Sequence, residues 1–116
     1  MSVDDEPTIR FSHEKLLEAA GYDVVSAADG EKALRMLAAL PIDLVLLDFS
    51  MPGMDGEVVA REVKRRKPEV HVILITGLAV PKEALAFVDS FMQKGDGPEV
   101  LLRKIKQLLL PSQRLA

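Results

Sequence analysis

Asp43-Leu44-Val45-Leu46-Leu47-Asp48-Phe49-Ser50-Met51-Pro52-Gly53-Met54-Asp55-Gly56 is the stretch on which the fold turns. From Ile42 to Leu47 every residue but Asp43 is apolar. A strand with one face in water alternates. A run that is apolar on both faces reads as a strand buried on both sides, as in a parallel sheet covered by helices. The run stops at an acid, Asp48. Phe49 to Asp55 then reads as a loop, and Gly56 to Lys67 as a helix that is basic on its outer side and ended by Pro68.

The same alternation continues in both directions. Upstream, Pro7 to Ala20 reads as a helix, since proline suits a first turn where its missing N–H needs no partner. Ile9, Ser12, His13, Leu16 and Ala20 share one of its faces, and Gly21 stands where a C-terminal cap is expected. Tyr22 to Ala27 is a short valine-rich strand, and Asp29-Gly30 opens a helix with Ala33, Leu34, Leu37 and Ala38 as its stripe. Downstream, Val70 to Ile75 is a strand closed by Thr76-Gly77. Pro81 to Val88 reads as a short, weakly amphipathic helix, Ser90 to Gln93 as a last strand, and Pro98 to Leu110 as a closing helix, with Pro111 to Ala116 the stub of a linker. Only Met1, Ser2 and Val3 precede Asp4, so the first strand is unusually short against the common 5–6 residues or so. Strands and helices that take turns imply an α/β fold with right-handed crossovers. The 116 residues fit one domain over 1–116.

Composition narrows the function. Apolar residues make up 48% of the chain, enough for a proper core, and the formal net charge is −3. Without a basic face, direct binding to nucleic acid is not expected. The chain has no cysteine, which excludes disulfides and thiolate metal sites. No apolar run approaches the roughly 20 residues of a membrane span, and the acidic start is unlike a secretory signal. The expected location is the cytoplasm.

Ligands of parallel α/β sheets bind outside the carboxyl ends of the strands. The residues there are Asp4 and Asp5, Asp48, Thr76 and Lys94. Three converging carboxylates repel one another unless a cation neutralises them. Acids without histidine or cysteine point to Mg²⁺ rather than Zn²⁺. A hydroxyl and an ammonium opposite the acids can hold phosphoryl oxygens, and phosphoryl transfer needs mainly positioning and charge neutralisation. An aspartate can be the nucleophile and form an acyl phosphate. Taken alone, each residue has a plainer reading: Asp48 as a cap or turn residue, Asp4-Asp5 and Thr76-Gly77 as turns, Lys94 as surface charge. Together, they fall at one end of the strands in this order, which turns do not require. His13 on the inner face of a helix and His71 in a strand read as packed residues without a catalytic role. Phe11, about 200° round the helix from Ile9, should face outward near the acids.

These residues resemble the receiver domains of two-component response regulators, the CheY-like family. Asp43 to Gly56 is similar to that family's phosphoacceptor segment, Asp4-Asp5-Glu6-Pro7 to its acidic pair, and Thr76, Phe91 and Lys94 to its remaining signature positions. The resemblance implies a flavodoxin-like, doubly wound parallel five-stranded sheet of order 2-1-3-4-5 with five helices. It implies that Asp48 accepts a phosphoryl group from a sensor histidine kinase or phosphotransfer protein. Mg²⁺ would sit on Asp5, Asp48 and the carbonyl of Ser50, with Asp4 helping directly or through water. Lys94 and Thr76 would hold phosphoryl oxygens. Phe91 would turn inward and change the surface of the last two helices and last strand for a downstream effector. Ser50 would also line the path of a hydrolysing water. Such a protein is no enzyme beyond its own phosphorylation and dephosphorylation. A homodimer through the last helices stays open.

The chain departs from the family pattern in its short first strand, in Gly95 where proline is usual, and in Gly77 where alanine is usual. The alternative function is a pseudo-receiver, a binding module that keeps the fold without efficient phosphorylation. An aspartate-nucleophile phosphatase fits less well, because Ser50 stands where its second acid is expected. A flavin carrier fits less well because Asp4-Asp5-Glu6 repels phosphate, and no glycine fingerprint for a dinucleotide appears.

Overall fold

The computed structural model describes residues 1–77 and 79–115, with side chains as far as residue 109. The elements are β1 (Ser2–Val3), α1 (Pro7–Ala19), β2 (Ser26–Ala27), α2 (Gly30–Ala39), β3 (Leu44–Asp48), α3 (Gly56–Arg66), β4 (His71–Thr76), β5 (Ser90–Gln93) and α4 (Pro98–Leu115). All strand pairs are parallel, in the order β2-β1-β3-β4-β5. This is the doubly wound sheet expected from the sequence, short first strand included.

All five residues of β3 are buried. Val45 and Leu47 pack with Val3, Leu37, Val59 and Val63 on the α2–α3 side. Leu44 and Leu46 pack with Leu17, Ile73, Leu101 and Ile105 on the α1–α4 side. The two-residue period of a strand thus feeds two cores at once. The helices begin where short acids can cap them: Asp29 accepts from the Lys32 N–H at 2.8 Å, and Asp55 from the Val58 N–H at 3.0 Å. α1 starts on Pro7 without a side-chain cap. No described helix is long and apolar enough to cross a membrane.

Two glycines place the loop behind β3. Gly53 has φ of 79°, a conformation glycine adopts at little cost. At Gly56 a Cβ would lie 2.7 Å from Phe49 Cα and 2.9 Å from the Asp48 carbonyl oxygen. Only glycine lets α3 start this close to the end of β3.

Several elements differ from expectation. Between β4 and β5 there is one 3₁₀ turn, Lys82–Leu85, in place of a helix over Pro81 to Val88, so four α-helices are described rather than five. Leu85, Phe87 and Val88 all pack against the core, a spacing that a single helical stripe does not give. β2 pairs with β1 only at Ser26–Ala27, with one further bond from the Ser2 N–H to the Val25 carbonyl at 2.9 Å. α4 continues to Leu115 through the segment expected to be a linker stub, of which Ala116 lies outside the described residues. The short β1 also leaves a groove of about 910 Å³ at the amino end of the sheet, lined by Met1, Tyr22, Val24, Ile42, Leu44 and His71 among others.

Candidate functional site

β1, β3 and β4 end side by side, so their last residues and the loops that follow meet at one edge. Asp4 and Asp48 are both 3% exposed, while Asp5 faces solvent. One carboxylate oxygen from each of Asp4, Asp5 and Asp48 falls within 4.8 Å of the others. Lys94, just after β5, brings its Nζ to 3.5 Å from Asp48 Oδ1, an ion pair rather than a tight hydrogen bond. Its backbone N–H donates to the Thr76 carbonyl at 2.9 Å, which ties the lysine loop to the end of β4. Thr76 is buried. The Ser50 N–H points at Asp48 Oδ1 from 3.4 Å.

Burial pushes the Asp48 carboxyl above the usual carboxylate range, and the nearby charge of Asp4 adds to this. Lys94 and the Ser50 N–H oppose the rise without cancelling it. Asp48 Oδ2 is buried and has no hydrogen-bond partner among the described residues. An unpartnered carboxylate oxygen beside two further acids is a hard-oxygen donor set, and Mg²⁺ fits it.

Asp4 is held from two directions. Its Oδ1 accepts from the Glu6 N–H at 2.9 Å, and its backbone carbonyl accepts from Arg10 Nη1 at 2.7 Å. Sequence reasoning overlooked Arg10. The available signal was its place one helical turn after Glu6, at the start of a helix that lacks a side-chain cap.

Phe91, the second residue of β5, is 45% exposed. Phe11 is 57% exposed, and Lys15 Nζ lies 5.2 Å from its ring centroid. His13 is half-buried, and burial lowers its pKa more than Asp4 raises it. His71 lies at the start of β4, at the opposite end of the strands from the acids, with Nδ1 3.9 Å from Asp89 Oδ1. Gly95 has open space where a Cβ would stand. At Gly77 a Cβ would meet Lys94 Cδ at 3.6 Å, an ordinary contact.

A family model described as the response regulator receiver domain matches residues 1–106. A probable transcriptional regulator, ycf27, of Porphyridium aerugineum is 36% identical over 111 residues, covering 92% of this chain and 46% of the relative. This chain thus spans about half the length of the curated relatives it matches. A CheY-like receiver domain protein from Methanospirillum hungatei superimposes with a TM-score of 0.91 at 28% identity, covering 99% of this chain and 95% of the other. The response regulator TrrA from Thermotoga maritima, solved in complex with Mg²⁺–BeF, gives a TM-score of 0.88 at 34% identity, covering 93% of this chain and 96% of the other. TrrA solved in complex with the histidine kinase ThkA gives 0.86 at the same identity, covering 93% of this chain and 95% of the other. Fold, strand-end acids and family match agree: the chain belongs to the response regulator receiver domain family.

Proposed function

We propose that residues 1–116 form one receiver domain, a signalling switch phosphorylated on Asp48. One observation carries the reading. Asp48, close to two acids and with Lys94 on its Oδ1, keeps its buried Oδ2 without a hydrogen-bond partner among the described residues. Asp5, Asp48 and the Ser50 carbonyl would hold Mg²⁺, with Asp4 directly or through water. When bound, the ion supplies positive charge against the acids and the phosphoryl oxygens.

A carboxylate oxygen of Asp48 attacks phosphorus of a phosphohistidine. The P–N bond breaks, its electron pair stays on the departing imidazole nitrogen, which takes a proton from water, and an aspartyl phosphate remains. Lys94 would meet one phosphoryl oxygen and Thr76 another. Phe91, exposed in this state, would move inward once Thr76 shifts. The surface that changes is the 3₁₀ turn, β5 and α4, since among the described residues no α-helix lies between β4 and β5. An effector reads that surface. The donor class is a sensor histidine kinase or phosphotransfer protein, in keeping with the kinase seen on the neighbour TrrA, and the location is the cytoplasm. Catalysis is confined to the domain's own phosphorylation and dephosphorylation.

Intact mass after incubation with acetyl phosphate and Mg²⁺ tests this. The expected result is a gain of one phosphoryl group, absent when EDTA replaces Mg²⁺. A chain that takes up none is a pseudo-receiver. Phe11, exposed on α1, serves in this reading as an anchor for the kinase's helical docking domain. Phe11→Ala is expected to slow transfer from the cognate kinase about tenfold, the scale of a modest hot spot, and to leave uptake from acetyl phosphate unchanged. Equal transfer rates from the kinase remove the anchor role.

A further inference from the structure

Arg10 is the only lysine or arginine in the first two turns of α1. Its guanidinium is spent on a backbone oxygen, the carbonyl of Asp4, at 2.7 Å. A distance this short fits a charge-assisted hydrogen bond. Among the described residues Arg10 forms no ion pair with Asp4, Asp5 or Asp48. It therefore orients the acidic turn without occupying the carboxylate oxygens.

That turn is otherwise thinly held. β1 gives only two residue pairs to each neighbouring strand. Past its last residue, the Asp4 N–H reaches the Ala27 carbonyl at 3.2 Å, at the long end of the range. A longer central strand would fix the register of its own end, whereas here α1 supplies the tie from outside. The Arg10 backbone N–H also bonds to the Glu6 carbonyl at 3.0 Å, so one residue closes the first helical turn and clamps the end of the strand.

We infer that Arg10 is a positioning residue of the acidic site: through the Asp4 carbonyl it holds the Asp4–Asp5 turn in the geometry that presents both carboxylates toward Asp48. The inference rests on the cation-binding reading given above. Its test is built so that the two can fail separately.

The full chain, with Arg10→Met and Arg10→Lys variants, is titrated with Mg²⁺ alone by calorimetry, with no phosphodonor. In parallel, hydrogen exchange of the Glu6 amide is measured without metal, because that amide donates to Asp4 Oδ1. Loss of the hydrogen bond in Arg10→Met is expected to weaken Mg²⁺ binding about tenfold and to speed Glu6 exchange about tenfold, the scale of one charged hydrogen bond. Arg10→Lys, which keeps one donor, should recover part of both. Unchanged or tighter Mg²⁺ binding in Arg10→Met, the result for a guanidinium that only repels the cation, overturns the inference, and so does unchanged Glu6 exchange. If the wild type itself binds no Mg²⁺, the cation reading fails, and Glu6 exchange alone decides for or against Arg10. If Arg10→Met does not fold, Arg10→Lys decides, with intermediate losses supporting the role and wild-type values overturning it.

Discussion

Asp48→Asn is expected to take up no phosphoryl group from acetyl phosphate and, at neutral pH without Mg²⁺, to melt above the wild type. The first result follows because an amide is not a nucleophile toward phosphorus. The second follows from the electrostatics. Burial and the charge of Asp4 raise the Asp48 carboxyl pKa in the folded state. Between the ordinary carboxylate value and the raised one, the native state binds more protons than the unfolded state. Stability therefore falls as pH climbs through that window. Asparagine has no proton to lose, so the variant lacks that decline. The advantage should be absent in acid below both values and full above the raised one. Mg²⁺ should reverse the ranking, because a ligand that binds only the native state adds about 2.7 kcal/mol at a hundredfold its dissociation constant, and the asparagine variant has lost a charged donor. Melting curves with and without Mg²⁺ from pH 4 to 8 decide it. An asparagine variant no more stable than the wild type at neutral pH would show that Lys94 already compensates the buried charge.

The sequence was most legible where one segment served several purposes at once. Leu44 to Leu47 had to be a two-sided buried strand, and that alone sets Asp48 at a carboxyl edge, where parallel sheets keep their chemistry. Thr76 and Lys94 could be placed because β4 and β5 are short enough for their ends to be read from where the apolar run stops. The 3₁₀ turn was less legible. Leu85, Phe87 and Val88 carry enough apolar character for a helix, but their spacing serves a turn laid on the core. The length of β2 could not be read from its own residues. Val24 and Val25 have strand character, but β1 reaches only the Val25 carbonyl, through the Ser2 N–H, so the ladder goes no further toward Tyr22. Arg10 stayed hidden for a related reason. A side chain bonded to a backbone carbonyl six residues away leaves no mark in hydrophobic periodicity.

Lengthening β1 should stabilise the protein more than any single substitution. Val-Ile-Val placed ahead of Met1 would run into the groove between Val24–Val25 and Ile42–Leu44. The Met1 ammonium donates to the Leu44 carbonyl at 2.7 Å, and the Ser2 N–H to the Val25 carbonyl at 2.9 Å. In a parallel ladder, the Leu44 N–H, the Ile42 carbonyl and the Val25 N–H then face the same gap, where the added residues can pair with them. Each apolar side chain buried contributes about 1.5–3 kcal/mol, against roughly 1.5 kcal/mol for ordering each residue. The extension also removes a charge from a poor position, since burial lowers the Met1 amine from 8.0 to about 6. Between those values the unfolded chain binds the extra proton, so wild-type stability should rise with pH across that window, by about 2–3 kcal/mol in all. The extended chain carries its amine outside the sheet and should lose that rise. Together these effects amount to about 4 kcal/mol near pH 7, or roughly 15 °C. Thermal melts of both chains at pH 5.5, 7 and 8.5 are the measurement. An extension that leaves the melting temperature unmoved, or keeps the upward slope between pH 6 and 8, would mean that the groove does not accept a strand in register with β1.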